Sequence, residues 1–152
     1  FIIDKGSEDG LAVNMNVMAG DGLVGIITEV NKSYSRVRSI IDDDSNVSGT
    51  FLKTSDSCIV SGNLQLMNDG VIEVSGIAGD AEVADGYEIV TSQISDKYLP
   101  GILIGYVKDL KKDASNITQT GYLTPAADFS SLDMVLVITE VKDSKDLKEM
   151  LE

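Results

Sequence analysis

The sequence predicts an all-β protein made of two small six-stranded β-barrels in tandem. Its apolar clusters are short, rich in β-branched residues and bounded by Gly, Asn, Asp or Ser, which is typical of strands separated by turns. The predicted strands recur about every 8–12 residues, the spacing of a sandwich or barrel. The two halves of the chain also repeat one order of strand, turn and glycine-opened strand.

The first series of predicted strands forms the first predicted domain, residues 1–62. Asp9-Gly10 and Asp21-Gly22 separate its early members, because Asp followed by Gly suits the backbone of a tight turn. The predicted strands cover residues 1–4, 16–19, 23–30, 35–41, 47–53 and 57–61.

The second series forms the second predicted domain, residues 63–141, with turns at Asn68-Asp69-Gly70 and Asp85-Gly86. Its predicted strands cover residues 64–67, 71–74, 87–92, 102–110, 117–124 and 134–141. Residues 142–152 form a charged tail. Helical character is confined to 143–152, where Leu147, Met150 and Leu151 share one face.

The two series resemble one another around their longest strands. In each, a short strand and a turn lead into a long strand that is opened by one glycine and holds a second glycine near its start. A glycine early in a long strand allows the sharp bend that a small barrel needs at its corners. Coincidence is the alternative explanation. The predicted structural glycines are Gly22, Gly25, Gly101 and Gly105.

The charge balance limits the classes of partner. Lys and Arg number 12 against 25 Asp and Glu, a formal net charge of −13. Such a chain is repelled by nucleic acid and by anionic lipid headgroups, so we expect neither as a partner. No stretch approaches the ~20 apolar residues of a transmembrane helix. Because the chain opens on Phe1 and not on Met, we expect any anchoring segment to lie upstream.

The composition argues against most enzymatic chemistry. The chain has no His, which removes Ser-His-Asp and Cys-His nucleophile pairs, the HExxH metal site and the commonest acid–base residue. This matters because two six-stranded barrels in tandem are also the architecture of trypsin-like proteases. The single Cys58 excludes an intrachain disulfide and indicates a small buried hydrophobe. We therefore expect that the protein is not an enzyme and that it binds neither a metal ion nor a cofactor.

Carboxylates leave one enzymatic alternative open. A glycosidase would need two carboxyl groups ~5–9 Å apart, at least one with a raised pKa. The densest cluster, Asp42-Asp43-Asp44-Ser45-Asn46, has the oxygen ligands of a calcium loop but lacks the glycine and distal Glu of an EF-hand. A turn between the strands ending at Ile41 and starting at Val47 is the simpler interpretation.

One segment is a candidate for partner binding. Tyr98, Leu99 and Pro100 follow a polar stretch, residues 93–97, and precede the strand that begins at Ile102. Together these four residues either form an exposed apolar contact for another protein or belong to an ordinary type II turn.

A series of short motifs runs along the chain in a fixed order. The motifs are Ile3-Asp4-Lys5-Gly6-Ser7-Glu8-Asp9-Gly10-Leu11, Gly20-Asp21-Gly22-Leu23-Val24-Gly25 followed by Ile27 and Val30, Ser35-Arg36-Val37 with residues 42–47, Val90-Thr91-Ser92, Pro100-Gly101, Ile104-Gly105-Tyr106-Val107 and residues 125–132. Their order and spacing resemble those of the MreC family of bacterial rod-shape-determining proteins. The resemblance covers residues 1 to about 139. Where the family has a Gly-rich loop ending in Phe-Pro, this chain has residues 93–100, which departs from the pattern.

The resemblance implies a non-enzymatic scaffold of the cell-elongation machinery, outside the cytoplasmic membrane. It implies two β-barrels that look protease-like but carry no catalytic residues. It further implies a class B penicillin-binding protein and MreD as partners, self-association, and an N-terminal transmembrane helix upstream of this chain. Two alternatives stay open: a carboxylate-dependent hydrolase of cell-wall glycans, and a tandem-barrel adaptor of an export system.

Overall fold

The structure is a computed structural model that describes residues 1–142. The helix predicted over 143–152 lies outside the described residues. Short 3₁₀ helices cover Ser7–Asp9 and Leu66–Asp69. The strands are β1 (Ile2–Ile3), β2 (Asn16–Ala19), β3 (Gly22–Val30), β4 (Ser35–Ser39), β5 (Asn46–Phe51), β6 (Ser57–Ser61), β7 (Ile72–Ala78), β8 (Glu88–Thr91), β9 (Leu103–Lys112), β10 (Thr118–Pro125) and β11 (Leu136–Ile138).

One predicted strand, residues 64–67, is a 3₁₀ turn instead. The side-chain oxygen of Asn63 accepts a hydrogen bond from the backbone N–H of Leu66 at 3.0 Å, which starts the turn. Gly70, with φ of 77°, ends it in the left-handed conformation. The prediction of a strand is wrong because a side-chain-to-backbone bond offers the chain an alternative to pairing in a sheet.

The strands form two sheets, and the predicted all-β class is confirmed. Six strands close a barrel in the order β10-β7-β6-β5-β8-β9, which we call the closed barrel. Five strands form a half-barrel in the order β1-β4-β3-β2-β11, which we call the open sheet. All the pairings are antiparallel, as a chain of short strands and tight turns predicts.

The arrangement of the two sheets along the chain differs from the predicted tandem. β5 and β6 lie in the closed barrel, where Val60 of β6 pairs with Val74 of β7. The last strand, β11, returns to the open sheet and pairs with β2. The sheets therefore divide between Ser39 and Asn46 and not at Gly62, and the first sheet has five strands and not six. The pairings of β5 with β8 and of β11 with β2 join residues far apart in the chain, which strand patterns alone do not specify.

β3 lies between two hydrophobic cores. Leu23 and Ile26 belong to the main core, which fills the closed barrel and includes Phe51. Val24 and Ile27 face a smaller core within the open sheet. Both faces of β3 are therefore buried, which explains why its residues from Gly22 to Ile27 form a continuous apolar run and not an alternation.

The predicted internal repeat has a structural counterpart. Val17 of β2 pairs with Gly25 of β3, and Ile89 of β8 pairs with Gly105 of β9. In both places a register shift follows directly, so the same β-bulge occurs in each copy. The two glycines are equivalent positions of one three-stranded motif, β2-β3-β4 in the open sheet and β8-β9-β10 in the closed barrel.

Candidate functional site

The segment predicted as an exposed partner contact is largely buried. Tyr98 is 6% exposed and Ile102 is 9% exposed, and both belong to the main core. Leu99 is half-buried, and Pro100 alone of the four is exposed. The expectation of an exposed apolar turn is wrong, because Tyr98 packs inward between the two sheets instead of projecting into solvent.

Hydrogen bonds hold this segment against both sheets. The Thr91 hydroxyl donates to the carbonyl of Leu99 at 2.5 Å and accepts from the backbone N–H of Ile102 at 2.8 Å. From the open sheet, the amide of Asn16 donates to the carbonyl of Lys97 at 3.1 Å and accepts from the N–H of Leu99 at 2.8 Å. The loop between β8 and β9 is thus a fixed connection between the open sheet and the closed barrel.

The phenol of Tyr98 ends in a small polar recess. Burial raises the pKa of Tyr98 to about 12, while the positive charge of Arg38 and a hydrogen bond with Ser45 act in the opposite direction. The recess is also lined by Asp44 and Lys97. Tyr98 therefore joins residues of the open sheet, the 40–46 turn and the β8–β9 loop, which is a structural role.

The acidic cluster 42–46 forms the predicted turn. The Asp42 carboxylate accepts a hydrogen bond from the backbone N–H of Ser39 at 2.8 Å, and the Asp43 carboxylate accepts one from that of Leu64 at 2.9 Å. Two of the carboxylates thus serve as acceptors for backbone N–H groups. Within residues 1–142, no group of three Asp, Glu, Cys or His side chains is placed to hold a metal ion.

Asp113 lies in the β9–β10 hairpin and accepts hydrogen bonds from residues of the same turn. Its carboxyl accepts hydrogen bonds from the Ser115 hydroxyl at 2.9 Å and from the backbone N–H of Ile117 at 2.9 Å. The bond from Ser115 is the main cause that lowers the pKa of Asp113. A general acid of a glycosidase needs a raised pKa, so this group has the opposite tuning.

A groove that the sequence did not reveal separates the two edges of the open sheet. We call it the seam groove. One side is formed by β1 with Asp4 and Lys5, and the other by residues 129–137 at the start of β11; its volume is about 830 Å³. Ile2 is 59% exposed and Met134 is 80% exposed at its sides. Apolar runs at both ends of the chain were visible in the sequence, but nothing local showed that they meet.

A second candidate surface lies on the outside of the closed barrel, and we call it the tyrosine face. Tyr106 of β9 and Tyr122 of β10 are both exposed. Their register makes them diagonal neighbours, since Lys108 is paired with Tyr122 two residues beyond Tyr106. Glu88 pairs with Tyr106 and Glu73 with Tyr122 on the flanking strands. Tyrosine is enriched at protein–protein contacts relative to the rest of a protein surface.

No helix among the described residues is long and apolar enough to cross a lipid bilayer.

Comparison with known sequences points to one family. The family model described as "Rod shape-determining protein MreC, barrel core" matches residues 1–139. The cell shape-determining protein MreC of Listeria monocytogenes is 27% identical over 137 residues, which cover 90% of this chain and 46% of the relative. The chain thus spans about half the length of that protein.

Solved structures share the fold. MreC from Pseudomonas aeruginosa superposes with a TM-score of 0.81 at 24% identity, covering 90% of this chain and 86% of that one. A chain from a complex between penicillin-binding protein 2 and MreC of Helicobacter pylori superposes with a TM-score of 0.65 at 17% identity, covering 84% of this chain and 79% of that one. Both likenesses support the architecture described above.

Proposed function

The chain belongs to the MreC family of rod shape-determining proteins, and we propose that it is a non-enzymatic scaffold that holds cell-wall synthases at the outer face of the cytoplasmic membrane. One observation carries this proposal: the fold is similar to that of a chain from a complex named for penicillin-binding protein 2 and MreC. The relatives are named for cell shape and not for a reaction. Neither a hydrolase nor an export adaptor has comparable support.

The proposal includes partners and a location that come with the family resemblance. The synthase is a class B penicillin-binding protein; MreD and a further copy of the chain are the other proposed partners. An N-terminal transmembrane helix, upstream of Phe1, anchors the protein in the membrane.

We place the synthase contact on the tyrosine face. Tyr is enriched at the centres of protein interfaces, because a ring buries a large area at low entropic cost and its hydroxyl still finds a hydrogen-bond partner. Tyr106 and Tyr122 are the neighbouring pair on the barrel that fits this description. A second proposed contact is formed by Leu99 and Pro100. They are the accessible residues of a segment that the buried side chains of Tyr98 and Ile102 anchor in the core.

The scaffold is tested with the full-length, membrane-anchored protein. A pull-down from membranes is expected to recover a class B penicillin-binding protein and MreD. Capture of neither, or turnover of a peptidoglycan fragment by the chain, contradicts the scaffold.

The contact surface is tested separately by binding of the purified synthase to this chain. We expect Tyr106→Ala combined with Tyr122→Ala to weaken binding at least about tenfold, the loss typical of interface anchors. Ile59→Ala is the matched control, because Ile59 is an exposed apolar residue of the same barrel on β6. Equal affinities for the parent and the double variant would remove the tyrosine face from the proposal and leave the scaffold standing.

A further inference from the structure

We propose that the seam groove binds an extended segment of a partner protein, in which apolar residues alternate with Lys or Arg. The segment adds a strand between β1 and β11, the two edges of the open sheet. This inference goes beyond the scaffold role, since it specifies a mode of binding and a second surface, and it does not require the partner to be a synthase.

The backbone of β1 is prepared for such pairing. Phe1 and Val37 exchange both backbone hydrogen bonds, at 2.9 and 2.7 Å. In an antiparallel ladder the next residue, Ile2, then directs its N–H and C=O away from β4. On that side β1 has no neighbouring strand among the residues that the structure describes. An unpaired strand edge is a template on which another chain can add a strand.

The second copy of the repeat, in the closed barrel, shows how many strands the open sheet lacks relative to a closed barrel. Both sheets contain the same bulged three-stranded motif with its glycine, at Gly25 and at Gly105. Around that motif the closed barrel is completed by six strands, whereas the open sheet has five within residues 1–142. Residues of both edge strands, Ile2 of β1 and Val137 of β11, line one groove. The open sheet is thus one strand short of the closed form, and the seam groove lies where that strand belongs.

The side chains of the groove specify an apolar strand. Ile3, Phe129, Leu132 and Val137 are partly buried and pack against the small core of the open sheet. Because alternate side chains of a strand point to opposite faces, a bound segment presents every second residue to this apolar wall. Those residues need to be apolar, and the remaining ones face solvent and the rim.

The rim and the whole chain specify the charge of the occupant. Asp4, Asp42 and Asp133 line the groove against a single Lys5 among its charged side chains. The net charge of −13 adds attraction for a basic segment and repels a second copy of the same chain. A basic and apolar partner strand is therefore favoured over a homodimer through this seam.

The experiment is a selection of displayed random peptides, about ten residues long to contain a strand of ~5–6 residues, on the full 152-residue chain. We expect the recovered peptides to alternate apolar residues with Lys or Arg. Their binding is then measured against Met134→Arg, which places a cation at an exposed side of the groove, and against Ile117→Arg. Ile117 is 71% exposed in the β9–β10 hairpin, so the second variant changes the net charge equally without touching the groove.

We expect Met134→Arg to weaken peptide binding at least about tenfold, or ~1.4 kcal/mol, and Ile117→Arg to leave it within about twofold. Bound peptide is also expected to slow hydrogen exchange at the N–H of Ile2. Three results would overturn the proposal: recovered peptides with helical spacing or without the alternation, equal loss in both variants, and a parent dimer that Met134→Arg converts to monomer. The last result would assign the groove to a second copy. None of them bears on synthase capture through the tyrosine face.

Discussion

The side-chain oxygen of Asn16 accepts a hydrogen bond from the backbone N–H of Leu99 at 2.8 Å, although the two residues are 83 positions apart in the chain. The amide nitrogen of Asn16 also donates to the carbonyl of Lys97. Asn16 is fully buried in β2, so one polar side chain of the open sheet satisfies two backbone groups of the β8–β9 loop. This contact fixes the loop in which Tyr98 is buried.

Replacing Asn16 by Ala is expected to destabilise the protein by about 1–3 kcal/mol, because backbone groups of Lys97 and Leu99 lose their partner. The free energy of unfolding from urea denaturation measures the effect. Asn46→Ala is the control: Asn46 also lies in a strand, but its bond to the Ser61 hydroxyl is exposed. A loss no larger than that of Asn46→Ala would show that the contact between Asn16 and the loop is not a source of stability.

Tyr98→Ser is expected to cost about 3 kcal/mol or more, since it removes a buried aromatic ring from the main core. An exposed turn would have tolerated the same change, so this experiment separates the structure from the expectation based on sequence. Asp96→Ser, at an exposed position of the same loop, serves as control and is expected to stay within about 0.5 kcal/mol of the parent. Thermal or urea unfolding of the two variants measures the difference. Equal stabilities of Tyr98→Ser and Asp96→Ser would indicate that Tyr98 is exposed and not buried.

The sequence predicted most strands because strand and turn signals depend on local chemistry. Turn dipeptides, β-branched runs and glycine placement are properties of adjacent residues, and β2, β3, β8 and β9 follow them closely. β7 is longer than the sequence predicts. The strand predicted at 64–67 does not form, because the backbone N–H of Leu66 donates a hydrogen bond to the side chain of Asn63.

What the sequence could not predict depends on contacts between distant residues. The return of β11 to β2, the transfer of β5 and β6 to the closed barrel and the seam groove all follow from strand pairing over long separations. Tyr98 illustrates the same limit at a candidate site. A tyrosine that lies between a polar stretch and Pro100 indicates an exposed loop. The structure shows instead that Asn16, far away in sequence, holds this loop against the open sheet.

Stability is expected to fall at high pH because of Tyr98 and Cys58. Burial raises the pKa of each group to about 12, from ordinary values of 10 and 9. The unfolded chain therefore releases these protons at a lower pH than the folded protein does. The folded state keeps its full free energy of unfolding from these two protonated groups below about pH 9, and it loses this contribution as the pH rises toward 12.

For Tyr98 alone the full loss amounts to about 2–3 kcal/mol above pH 12, and about half of it, ~1.4 kcal/mol, is reached at pH 11. Urea midpoints at about pH 8 and about pH 11 measure it, and Tyr98→Phe, which cannot ionise at this position, is expected to lose less stability between the two. An identical decline in the parent and in Tyr98→Phe would mean that other groups cause the change.

Gly25 and Gly105 occupy equivalent positions in the two copies of the motif, so we expect neither to tolerate a side chain. A Cβ atom at Gly25 would collide with the backbone carbonyl oxygen of Arg38, and one at Gly105 with that of Thr124. Backbone of a paired strand cannot swing aside as a flexible side chain can, so even Ala at either position forces the strands apart. We expect Gly25→Ala and Gly105→Ala each to lower the free energy of unfolding by about 2 kcal/mol or more. Gly121→Ala is the matched control in β10, where the nearest atom to a new Cβ lies at 3.2 Å, and it is expected to cost clearly less. If one glycine tolerates Ala and the other does not, the two copies of the motif bend for different reasons, and the structural equivalence drawn from their registers fails.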